Sequence, residues 1–223
     1  MSKVFNSPHD ALADIPDGAT IMIGGWASSG VPRNLITTLR DHGVENLTII
    51  ANSPDRGKFV GINTLVENSQ VKRIICSIVF PDTPADLAMA SGEIEIELVP
   101  QGTIAERIRA AGCGLGGFYT PTGVGTIVAT NKESRVIDGR EYLLEHPLKA
   151  DFSLIRAYKA DKFGNLSYRG VMRNFNTVMA MAADVTIVQV QEIVEPGELD
   201  PNIIATPQIF IDRIVRIPER EIM

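Results

Sequence analysis

PQGTIAERIRAAGCGLGGFYTPTGVGT, residues 100–126, divides into a short helix and a glycine-rich segment that fits neither helix nor ordinary sheet. Thr103 followed three residues later by Glu106 has the spacing of a capping box. Ile104, Ile108 and Ala111 share one helical face, and Gly112 supplies a stop, which predicts a helix ending at about Ala111. Beyond it, Gly112, Gly114, Gly116, Gly117, Gly123 and Gly125 surround Phe118, Tyr119 and Thr120. Backbone so rich in glycine can take positive φ and let another molecule approach closely. Phe118, Tyr119, Thr120 and Gly123 are therefore expected to wall a substrate site. Gly112, Gly114 and Gly117 also spell G-x-G-x-x-G, but the dinucleotide motif must leave a strand and open a helix. Here it leaves a helix and opens none, so a nicotinamide or flavin site is excluded.

Upstream, residues 93–99 alternate acid with Ile94, Ile96 and Leu98, the period of a strand wet on one side. Apolar runs at 20–23, 47–51 and 73–80 predict three earlier strands. Helices are expected from Pro32 to before Gly43, over 59–68, and from Thr83-Pro84 to Gly92. Downstream, residues 135–145 predict a hairpin turning at Asp138-Gly139, an insertion over about 133–146. Strands at 152–158 and 185–190, a helix near 176–183 and an edge strand within 209–217 complete the chain. Strands alternating with helices predict an α/β fold over residues 1–223: one domain, a single open, mostly parallel sheet flanked by helices. Its binding crevices lie beyond the carboxyl ends of strands, where Gly24-Gly25 and Gln101-Gly102 fall.

The chain has 223 residues, 44% hydrophobic and 22% charged, a globular composition able to bury a sizeable core. A net charge of -6 with dispersed basic residues argues against nucleic acid. No run is long and apolar enough for a signal peptide or a membrane span, and Cys76 and Cys113 are the only thiols; a cytoplasmic, disulfide-free protein is expected. Two cysteines and the scattered His9, His42 and His146 offer no metal-ligand spacing, so no metal site is expected.

PQGTIAERIRAAG, FYTPTGVGT, GGWASSGVP at residues 24–32, AYKADKFGN and RNFN occur in the order seen in family I coenzyme A transferases. The chain resembles the alpha subunit of the 3-oxoacid type over residues 21–217. The resemblance implies that coenzyme A or acyl-CoA is a substrate, with no prosthetic group, and that Gly24, Gly25, Trp26, Ala27, Ser28, Ser29 and Gly30 hold it. Read from the residues alone, that stretch is either an anion-binding turn or a tight strand-to-helix connection, and it lacks the Lys-Ser/Thr of a P-loop. Gln101 ends a strand, where its amide either donates to a developing oxyanion or merely enters the helix. In the family the matching glutamine lies by the thioester.

Asn52 matches the first asparagine of a Ser-Asn-Asn pattern that here reads Ala51-Asn52-Ser53. Phe80-Pro81-Asp82 stands where many members have Gly-Glu-Asn, so both departures point to a different acyl group. The family reaction is ping-pong, begun by a glutamate in a Ser-Glu-Asn-Gly-type motif of a beta subunit. No such motif occurs in these 223 residues, so a beta-subunit partner is expected to supply it, with acyl-CoA and a carboxylic acid as substrates. Lys159 and Arg173 are weak candidates for the nucleotide phosphates. The alternatives are a stand-alone sugar-phosphate isomerase or ligand-sensing α/β domain, and a thiol enzyme using Cys113.

Overall fold

The computed structural model describes residues 2–56 and 60–218. After β1 (Val4–Phe5) and α1 (Pro8–Leu12), strand and helix alternate: β2 (Thr20–Ile23), α2 (Arg33–His42), β3 (Leu47–Ala51), α3 (Ile62–Glu67), β4 (Val71–Cys76), α4 (Pro84–Ser91), β5 (Glu95–Leu98) and α5 (Gln101–Gly112). Next come β6 (Phe118–Thr120), β7 (Ser134–Ile137), β8 (Arg140–Glu145), β9 (Ala150–Arg156), β10 (Lys159–Asp161) and β11 (Leu166–Ser167). The chain then forms α6 (Asn176–Met179), β12 (Ala183–Val190), β13 (Glu192–Val194) and β14 (Arg213–Arg216).

Eight strands make one sheet in the order β1-β14-β12-β9-β2-β3-β4-β5, and each neighbouring pair is parallel. TIMI, LTIIA and the end of VKRIIC are nearly continuous apolar runs because both faces of a parallel sheet are covered. One core layer packs Leu35, Ile36 and Leu39 of α2 and Leu65 of α3 against Ile21, Ile23, Ile49 and Ile74. The other packs Ile104 and Ile108 of α5 and Met179 of α6 against Met22, Ile50, Ile155 and Val188. The predicted α/β architecture is thus borne out.

From β2 the sheet grows through β3 and β4 to β5, and the chain then returns to build β9, β12 and β14 on the other side of β2. The order therefore reverses between β2 and β9, the place where an open α/β sheet leaves a crevice at its carboxyl edge. Registers Ile23↔Ala51 and Cys76↔Leu98 bring successive carboxyl ends side by side.

Several local expectations are corrected. The capping box does not form: α5 begins at Gln101 with Pro100 as its unbonded N-cap, Thr103 is buried inside the first turn, and Glu106 pairs with Arg109. Residues 118–120, expected as loop, are a strand pairing antiparallel with β8. Residues 209–217 yield β14, an interior strand, because the two-residue β1 pairs on its outer side. The helix expected over 59–68 spans Ile62–Glu67, with Phe59 outside the described residues.

The predicted hairpin is present as β7 and β8, with Asp138 at φ 49° and Gly139 at φ 76° in the turn. It joins β6 in a three-stranded sheet, which a chain of charges ties to the main body. The Glu145 side chain, 2% exposed, meets Lys132 and Arg107, and Arg107 Nη1 reaches Glu97 Oε1 at 3.0 Å.

Candidate functional site

GGWASSG leaves β2 at the point of reversal. Gly24 N donates to Leu154 O at 2.9 Å, continuing the β2–β9 ladder, and the backbones of Trp26 and Ser29 exchange two hydrogen bonds of 3.0 Å. A fully buried Asn176 clamps this loop: its Nδ2 donates to Gly30 O at 3.0 Å and Met172 O at 2.7 Å, and its Oδ1 accepts from Arg156 N at 3.0 Å. Asn174 Nδ2 adds a bond to Ser29 O at 3.1 Å. A Cβ on Gly24 would lie 2.0 Å from Asn176 Oδ1, so that position must be glycine for the clamp to close.

Beside the loop lies a cavity of about 540 Å³ spanning the carboxyl ends of β2, β3, β4 and β5. Trp26, Ala27, Ser28 and Val31 come from the connection after β2, Asn52 and Ser53 from the end of β3, and Ser77, Ile78 and Phe80 from the end of β4. Gln101, the first residue of α5, closes it from the far side. Gln101 Nε2 donates to Asn52 Oδ1 at 3.0 Å, while Ser77 N and Oγ both donate to Asn52 O, at 2.9 and 2.7 Å. Asn52 is only 6% exposed, so these bonds hold the pair in a set geometry. A glutamine amide carries two hydrogens; with one given to Asn52, the other is available to an oxygen in the cavity.

Arg33, Asp55 and Arg56 are the charged members of the lining. Burial holds the Arg33 guanidinium below the usual arginine range, against the opposing field of Asp55. Asp55 is fixed by α3, where Asn63 N donates to its Oδ2 at 3.1 Å. The Arg56 guanidinium rests 4.4 Å above the centre of the Phe80 ring.

The residues expected from sequence are distributed unevenly. Trp26, Ala27, Ser28, Asn52 and Gln101 line the cavity, whereas Gly24 and Gly25 line a small recess of about 30 Å³ beside it. Ser29 and Gly30 form the back of the loop, under Asn174 and Asn176. Phe118, Tyr119, Thr120 and Gly123 are not in the cavity lining. The first three belong to β6, where Tyr119 Oη donates to Glu133 Oε1 at 2.5 Å, and a Cβ on Gly123 would meet Val128 at 2.8 Å.

Lys159 is engaged with Glu192 at 2.8 Å, and Arg173 is exposed on the segment whose asparagines form the clamp. Cys113 is exposed, accepts a long contact of 3.7 Å from Arg109 Nη1 and does not line the cavity; Cys76 is buried, its thiol pushed up to about 11 by desolvation. Among the described residues no group of three or more His, Cys, Asp or Glu side chains could hold a metal, and no helix is long and apolar enough to cross a membrane. Sequence reasoning missed Arg33, Asp55, Arg56 and Ser77. It also assigned the RNFN run to its charge, when Asn174 and Asn176 do the holding.

The coenzyme A transferase family model matches residues 5–216. The chain is 48% identical over 221 residues to the first, alpha-type chain of 3-oxoadipate CoA-transferase from Pseudomonas putida, covering 97% of this chain and 94% of that protein. It is 47% identical over 209 residues to the alpha chain of acetate CoA-transferase from Escherichia coli K12, covering 93% and 94%. Among solved structures, an acyl-CoA transferase from E. coli O157:H7 in a thioester complex with CoA superposes with a TM-score of 0.86 at 23% identity. The match covers 98% of this chain but 48% of that one, so the chain spans about half the length of that enzyme. Glutaconate coenzyme A-transferase from Acidaminococcus fermentans gives a TM-score of 0.82 at 22% identity, over 97% of this chain and 76% of that one. These two likenesses bear on the fold. The family match over 5–216, with relatives of nearly equal length, establishes that the chain belongs to the coenzyme A transferase family, on the side of its alpha subunits.

Proposed function

We propose that this chain is the alpha half of a cytoplasmic two-chain enzyme that moves coenzyme A between a short-chain or 3-oxo acyl-CoA and a carboxylic acid, without a prosthetic group. The observation that carries the proposal is the Gln101–Asn52 pair, fixed at 3.0 Å in the wall of a 540 Å³ cavity next to the glycine loop. Residues 1–223 act as one domain. Its loop from Gly24 to Gly30 takes the coenzyme A arm, and Trp26, Ala27 and Ser28 face it directly.

The nucleophile is a glutamate of a separate beta subunit. Its carboxylate oxygen attacks the thioester carbon, and the carbonyl electrons move onto oxygen as the tetrahedral centre forms. Gln101 Nε2–H stabilises that oxyanion. The C–S bond then breaks, releasing CoA thiolate and leaving an acyl-glutamyl anhydride. Attack by the thiolate on the glutamyl carbonyl expels the acyl group as its free carboxylate and leaves a glutamyl thioester. The acceptor acid completes the exchange by the reverse sequence. Binding of the remote coenzyme A arm can be used to position the thioester at Gln101. The relatives' names include an acid with one carboxylate, acetate, and an acid with two, 3-oxoadipate.

Intact-mass spectrometry of this chain with and without its beta partner, following incubation with short acyl-CoAs, tests the assignment. A CoA-sized adduct on the partner, formed only when both chains are present, is the expected result. An adduct on this chain alone would overturn it.

A further inference from the structure

Resting on the reading just given, we infer that Arg56, held over the Phe80 ring, selects acyl groups that end in a second carboxylate over neutral acyl groups of the same length. The two stretches that depart from the family's usual residues, Ala51-Asn52-Ser53 and Phe80-Pro81-Asp82, both reach the cavity, through Asn52, Ser53 and Phe80. Arg56, three residues after Ser53, crosses to Phe80 and places its guanidinium 4.4 Å from the ring centre. A cation held on an aromatic face keeps its in-plane N–H donors available at the edge, and those donors match a carboxylate in a two-point geometry.

The charge of the lining points the same way. Arg33 and Asp55 act on one another and offset, which leaves the Arg56 charge in excess in a cavity otherwise walled by Trp26, Val31, Ile78 and Phe80. Such a wall accepts an apolar chain with an anionic end. Gln101 and Asn52 stand in the same cavity, so a thioester at that pair presents its acyl chain to the lining.

The test uses the assembled two-chain enzyme and donors matched in length: succinyl-CoA against butyryl-CoA, and glutaryl-CoA against pentanoyl-CoA, with acetate as acceptor. The wild type is expected to favour the carboxylate-ended member of at least one pair in kcat/KM. In Arg56→Gln that preference ratio should fall about tenfold or more, the loss of a charge-assisted contact. Arg56→Lys should restore part of it, and Phe80→Leu, which removes the platform and keeps the charge, should lower it partially. A wild type that transfers CoA but favours the neutral donors, or an Arg56→Gln variant in which both members of each pair fall equally, overturns the inference and leaves the transferase reading intact. A wild type that transfers from none of the four donors overturns the transferase reading itself, and the inference with it.

Discussion

Gly24→Ala is the sharpest test of how the glycine loop is held. Gly24 does not have positive φ, so alanine meets no backbone penalty there and the cost is steric. Its Cβ would lie 2.0 Å from Oδ1 and 2.9 Å from Cγ of Asn176 and 3.4 Å from Ile155 Cγ2. Asn176 cannot turn aside without giving up its bonds to Gly30 O, Met172 O and Arg156 N. At about 1 kcal/mol each, those three bonds set the expected loss at about 3 kcal/mol. Asn176→Ala gives up the same bonds and should also cost about 3 kcal/mol. Because both changes remove one set of contacts, the double variant should cost about 3 rather than about 6 kcal/mol. Urea unfolding followed by Trp26 fluorescence measures all three, since Trp26 is the only tryptophan and sits on the loop. Additive costs in the double variant, or a Gly24→Ala loss under about 1 kcal/mol, would refute the clamp.

Gln101→Ala in the assembled enzyme should lower kcat about a hundredfold, the effect of losing one oxyanion donor, while CoA still quenches Trp26; kcat within threefold of wild type would remove Gln101 from the chemistry. In the folded chain a water-soluble disulfide reagent should titrate the exposed Cys113 and leave Cys76 unreacted until denaturant is added, because burial keeps the Cys76 thiol protonated up to about 11. Cys113→Ala should then leave transfer nearly intact, and an inactive variant would revive the thiol-enzyme alternative. His42 titrates below its usual 6.5 because burial, and then the neighbouring His9 at 4.4 Å between ring centres, disfavour its charge, with Asp41 opposing. A folded pKa below the unfolded one means that the unfolded chain binds more protons, so the stability His42 contributes is complete above pH 6.5 and is lost as pH falls through the folded value. Unfolding at pH 7.5 and 5.5 should therefore show a smaller acid-side loss in His42→Phe than in the wild type, and equal losses would contradict the direction of the shift.

The strands from β2 to β5 were legible because each is a short apolar run bounded by glycine, proline or a capping residue. β14 was legible as a strand but not in its place. What makes it interior is β1, two residues long and without a period of its own. The site was legible where a residue ends a strand, as with Asn52, or enters the next helix, as with Gln101. It was misread at Phe118 to Thr120, where aromatic residues among glycines suggested a wall but the glycines serve the return of the chain into β6. Asn176 carried no signal of its own, since the carbonyl it holds on Gly30 is 146 residues away.

By itself the sequence determined the alternation of elements, the glycine stretch after β2 and the motifs of the family, because period, turn chemistry and composition are local properties. Tertiary structure decided which of those residues meet. Asn52 and Gln101 are 49 residues apart and touch only because β3, β4 and β5 lie side by side with their carboxyl ends in register. Arg56 faces Phe80 for the same reason. A strand's neighbours are set by how the whole chain buries its apolar faces, and no single stretch of sequence contains that information.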